Sequence, residues 1–177
     1  MRLPFAVAIS LLTIAAFAEE PLVTRDRIDL NLAGAETILT AAKDHARELK
    51  VRVNIAVVDD GGHLVAFARM DGARPASGTT AMTKAVTAAT FRQASGPVPA
   101  GAVQPDVLLN LSLQNAAAAS GGKVTTLYGG VPIEVDGQII GAVGVGGATG
   151  EQDAEVARAG IAKLIEAIKA SARPSER

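Results

Sequence analysis

Two histidines, no cysteine and a scatter of serines and carboxylates are all that this 177-residue chain offers for side-chain chemistry. A zinc site built from protein groups draws three or four ligands from Cys, His and carboxylates, so this inventory disfavours one. Ser77, Ser95, Ser112 and Ser120 have no activating neighbour in sequence, and no G-x-S-x-G elbow is present, which leaves nucleophilic catalysis without visible support. The pairs Asp59-Asp60 and Glu151 with Asp153 read as turn and first-turn helix residues, where anionic side chains are locally favourable. GAVGVGGATGEQD (Gly141–Asp153) has the outline of a dinucleotide loop but carries Thr149 where a third glycine belongs, after a strand that arrives from a hairpin. It reads instead as close strand packing followed by a helix cap at Thr149, whose amides could hold a small carboxylate. His63 sits at a hairpin edge, expected to be structural beside Asp60 or solvated. His45 stands one residue before Ala46 and seven after Ile38, bordering the buried face of a helix, and by itself reads as a satisfied or solvated histidine.

The elements that must position these groups follow from periodicity. Leu32, Ala35, Leu39, Ala42, Ala46 and Leu49 recur at steps of three and four, predicting a first helix over about Asn31 to Lys50. Val53–Val58 and His63–Arg69 flank Asp59-Asp60-Gly61-Gly62 and predict a β-hairpin. The spacing of Ala81, Ala85 and Ala88 predicts a second helix within Ser77–Gln93, against the weak propensity of its six Thr and Ser residues. LLNLSLQNAAAAS suggests a short helix, with its alanine run either helix or ordered loop, closed by Gly121-Gly122. Thr125–Tyr128, Val131–Val135 and Gln138–Val145 read as strands, the last two joined by the hairpin signal Asp136-Gly137. Thr149 with Gln152 resembles a capping box, opening a last helix whose buried face is Ala157, Ile161, Leu164, Ile165 and Ile168. The sum is an α/β (α+β) fold: a central antiparallel sheet of about five strands with helices packed on it.

The start of the chain, MRLPFAVAISLLTIAAFAEE, has one charge at Arg2, an apolar run from Phe5 to Phe17, and small residues at Ala16 and Ala18. This predicts a signal peptide over 1–18 and a single domain over 19–177, exported to the periplasm or beyond the cell, with no membrane span after cleavage. Across the whole chain 17 Lys and Arg face 18 Asp and Glu, and removing Arg2 leaves 16 against 18. Charges are interspersed and aromatic residues few, so nucleic acid is not an expected partner. An oxidising compartment with no cysteine excludes a disulfide framework, and a chain that is 49% hydrophobic has apolar area to spare for a subunit interface.

Three blocks, NIAVVDDGGHLVAFARMDGARPAS (Asn54–Ser77), KAVTAATF (Lys84–Phe91) and GGVPIEVDGQIIGAVGVGGATGEQD (Gly129–Asp153), resemble the GlcG/HbpS haem-binding family, which includes PduO C-terminal domains. The resemblance implies a profilin-like fold, homo-oligomers, and in several members haem. Candidate iron ligands remaining after the leader is removed are His45, His63, Met70, Met82 and Tyr128. His45 occupies the position that resembles the axial histidine of PduO-type domains, which makes it the implied metal ligand. Lys84 and Thr87 resemble a family surface associated with haem contact, and Lys84 or the Thr149 cap would meet a propionate. The implied function is non-covalent, b-type haem binding by an exported protein, a binding module more than an enzyme. Two alternatives stand beside it: an enzyme or accessory protein acting on a small organic acid such as glycolate, and a structural or regulatory oligomer serving a partner protein.

Overall fold

The computed structural model describes residues 23–172 apart from 100, 102 and 120, so the expected signal peptide lies outside the described residues. The elements run α1 (Leu32–Glu48), β1 (Asn54–Asp59), β2 (Leu64–Arg69), α2 (Ser77–Phe91), α3 (Val107–Ala119), β3 (Gly130–Val135), β4 (Gln138–Gly146) and α4 (Gly150–Ser171). The sheet is antiparallel with order β2-β1-β4-β3, so two hairpins are joined along β1 and β4. At the β3–β4 turn Asp136 and Gly137 both have positive φ, the conformation that matches the twist of two hairpin strands.

There are four strands among the described residues where the sequence suggested about five. Thr125–Tyr128 does not join the ladder, and its backbone groups bond to side chains instead, among them Thr125 Oγ1 of the segment itself, which accepts from Leu127 N–H at 3.2 Å. Thr125 N–H donates to Thr87 Oγ1 at 2.8 Å, and Leu127 C=O accepts from Ser95 Oγ at 2.7 Å. The alanine run resolves as helix within α3.

Period-2 alternation on the central strands separates two cores. Ile55 and Val57 of β1, with Val143 and Val145 of β4, face α1 and α4; Ala56, Val58 and Ala142 face α2. The first face is filled by branched side chains, each contributing about 1.5–3 kcal/mol by burial. The second is built mainly from alanine and glycine, with Val58 the one larger side chain of its buried cluster, and there the backbone of α2 lies almost on the sheet. A Cβ on Gly144 would run into Ala81 O and Ala85 N, and one on Gly130 would run into Lys84 O. The Thr-rich sequence of α2 is reconciled with a helix by its hydroxyls: Thr80, Thr83, Thr87 and Thr90 each donate to a carbonyl three or four residues earlier. By contrast α3 buries only Ala117 among the described residues and leaves Val107 and Leu108 each 76% exposed.

Candidate functional site

His45 lies on the flank of α1, next to the buried row Ile38, Ala42 and Ala46, as its spacing predicted. Its ring is held from two helices. Nε2 is 3.0 Å from Glu155 Oε1 on α4, and Nδ1 is 3.0 Å from Glu48 Oε2 one turn further along α1. The hydrogen bond to Glu155 raises its pKa above 6.5; burial opposes this, and Glu48 adds to the rise. The side chain keeps 27% of its surface exposed, beside an open groove of about 770 Å³ between α1 and α4. Ala33, Ala41, Ala159 and Ala162 line the groove, with Glu36, Asp44, Glu48, Glu166 and Lys163 among the charged groups around it. Small residues leave a flat wall, and four carboxylates against one lysine make it acidic.

Lys84 is on the other side of the sheet. Its ammonium donates to Asp153 Oδ2 at 2.7 Å and to Val145 C=O at 2.8 Å, and the two charged side chains are 6% and 2% exposed. Asp153 Oδ1 accepts from Ala148 N–H at 3.1 Å. The pair thus ties α2 to the first turn of α4 across the end of β4. Thr149 caps α4 in the expected box: its hydroxyl accepts from Gln152 N–H, while Gln152 Oε1 accepts from Thr149 N–H, each at 3.3 Å. Thr87 donates to Thr83 C=O at 2.7 Å as well as accepting from Thr125. Beside Lys84 is a cavity of about 310 Å³ lined by Arg74, Tyr128, Gly150 and Glu151.

Lys84 and the Thr149 turn are therefore neighbours, whereas His45 faces a separate groove. The structure brings to His45 two carboxylates, Glu48 and Glu155, that the sequence did not single out. Glu48 at i+3 was open to detection from helical spacing; Glu155, 110 positions away, was not. Asp153, read as a first-turn helix residue, is also the partner of Lys84. His63 bonds Asp59 rather than the expected Asp60: its N–H donates to Asp59 Oδ1 at 2.8 Å and its Nδ1 is 3.1 Å from Oδ2. Asp60 instead accepts from Arg27 at 2.6 Å. No group of three or more His, Cys, Asp and Glu fit to hold a metal occurs among the described residues, nor does a helix long and apolar enough to cross a membrane.

Comparison with known proteins gives this arrangement its relatives. Residues 30–162 match the family described as haem degrading protein HbpS-like. Protein GlcG of Escherichia coli K12 is 40% identical over 121 residues, covering 68% of this chain and 84% of GlcG. The crystal structure of a PduOC:heme complex superposes with a TM-score of 0.64 at 30% identity, over 77% of this chain and 95% of that one. A variant of HbpS from Streptomyces reticuli superposes with a TM-score of 0.61 at 30% identity, over 82% and 97%.

Proposed function

The chain belongs to the HbpS-like family, and on that premise we propose that it is an exported haem-binding protein in which His45 is an axial ligand of the iron. The observation that carries the proposal is an incompletely buried imidazole beside an open groove, with one carboxylate at each ring nitrogen. With haem bound, His45 would hold the iron through one ring nitrogen, for which one of its two carboxylates would have to be released, while the other would accept from the remaining N–H and orient the ring. The alanine wall fits the flat face of a macrocycle. Lys163, the one lysine lining the groove, is paired with Glu166 at 2.8 Å and would have to exchange that exposed partner to meet a propionate, while Lys84 and the Thr149 cap lie away from this groove. A chain without cysteine has no thiol for thioether attachment, which supports the reading of a b-type haem held without covalent bonds. Bound haem supplies the iron centre for capture, storage or sensing; the protein supplies the ligand, its orientation and the apolar wall.

Export rests on the leader-like segment 1–18. Homo-oligomerisation is supported by the exposed leucines of α3, an apolar surface that self-association would cover. Titration of hemin into the chain starting at Glu19 tests the main reading. A saturable Soret shift, weakened about ten-fold or more in His45→Ala, is expected; no shift at stoichiometric hemin excludes it.

A second reading is favoured by the cavity beside Lys84, where Arg74 and the start of α4 offer cationic and amide groups to a small organic acid. Thermal-shift screening of glycolate and related acids against hemin separates the two, since only a specific ligand raises the melting temperature.

A further inference from the structure

The flank of α1 away from the His45 groove opens on a cleft of about 550 Å³ to which Lys43, Arg47, Lys50, Arg52, Arg69 and Asp71 contribute. Within a chain of net charge −1 this is a local concentration of positive charge. Arg47 pairs with Asp44. Among the described residues Lys43, Lys50, Arg52 and Arg69 form no ion pair. Counting Asp44 and Asp71, five cations face two carboxylates, a surplus of three. The C-terminal end of α1 accounts for a part of this, but a helix terminus carries only about half an elementary charge.

The cations come from fixed elements. Lys43 and Arg47 are one turn apart on α1; Lys50, with φ of 58°, turns the chain out of that helix; Arg69 ends β2 in register with Asn54. Val51 N–H bonds to Ala46 C=O at 3.0 Å and Met70 N–H to Val53 C=O at 3.1 Å, closing the cleft floor where these two side chains lie. Arg52 lies over Gly72, where a Cβ would come within 2.7 Å of Nη1; the glycine makes room for the guanidinium against the turn. Two guanidinium forks and two ammonium groups without carboxylate partners, lining one open cleft, suit a compact anion of about three charges better than a single carboxylate.

We propose that this cleft binds a soluble oligophosphate, a diphosphate or triphosphate group, independently of the haem site. The test is isothermal titration of the chain from Glu19 with inorganic tripolyphosphate in physiological salt, alongside Arg52→Ala/Arg69→Ala, whose two side chains are exposed and whose fold is checked by its melting curve. Saturable binding weakened about ten-fold or more in the double variant, with the hemin titration unaltered, is the expected result. Either no heat of binding at millimolar tripolyphosphate, or equal binding by the double variant, overturns the proposal. Binding matched by sulfate at the same concentration overturns it too, since that is charge attraction without a site.

Discussion

The two faces of the sheet hold their charges in opposite ways. On the α2 face, Lys84 and Asp153 are sealed in, with every bond directed at protein. On the α1–α4 face, His45 has contacts of 3.0 Å, against 2.7 and 2.8 Å for Lys84, and its partners Glu48 and Glu155 are 73% and 54% exposed and can be replaced by water. A charge pair without water is a fixture of the fold, because losing one partner strands the other. A charge pair at the rim of a groove is adjustable, because either carboxylate can be released at little cost. Among residues chosen on chemical grounds, burial thus divides those that hold the fold from those free to meet a ligand.

Lys84→Met breaks that contrast most severely. It leaves Asp153 buried and unpaired, and a loss of about 3–5 kcal/mol in chemical denaturation is expected. Lys84→Met/Asp153→Leu should recover much of it; a double variant no better than the single would mean that packing, not the stranded carboxylate, dominates. Thr149→Ala acts at the joint between the two regions, since the first turn of α4 carries Asp153 and the second Glu155. Loss of the cap should cost about 1 kcal/mol, read as a lower melting temperature.

The smallest effect belongs to His45 itself. Its folded pKa is raised, so protonated His45 stabilises the fold fully below its unfolded pKa, and the contribution is lost as pH rises through the folded value. His45→Gln should therefore cost about 0.5 kcal/mol near pH 5.5 and almost nothing near pH 8.5, the size of a solvent-screened pair. Hemin affinity should run the other way, rising with pH over the same window, because iron takes the neutral ring. Parallel trends in stability and affinity would separate His45 from the iron.

What the sequence revealed was what is local. The three- and four-residue spacing of α1, the Asp-Gly turn of the second hairpin and the Thr149–Gln152 box each rest on contacts within a few residues, and each is present. The alternation in Thr125–Tyr128 misled because strand pattern says nothing about where backbone bonds go, and these went to Thr87 and Ser95. Lys84–Asp153 and His45–Glu155 join residues 69 and 110 positions apart, and only the folded topology pairs them. The glycines of β4, with the outline of a dinucleotide loop but read as close packing, gained their full meaning only with α2 laid over them.

That glycine surface has a mechanical consequence. With main chain resting on main chain at Gly130, Gly144 and Gly146 and mostly alanine around them, there is little deformable side chain between α2 and the middle of the sheet to absorb a sliding or rolling movement. Helix and strands on that side are therefore expected to travel as one stiff plate, leaving any opening of the cavity beside Arg74 to the unladdered segment that carries Leu127 and Tyr128, whose side chains are half exposed.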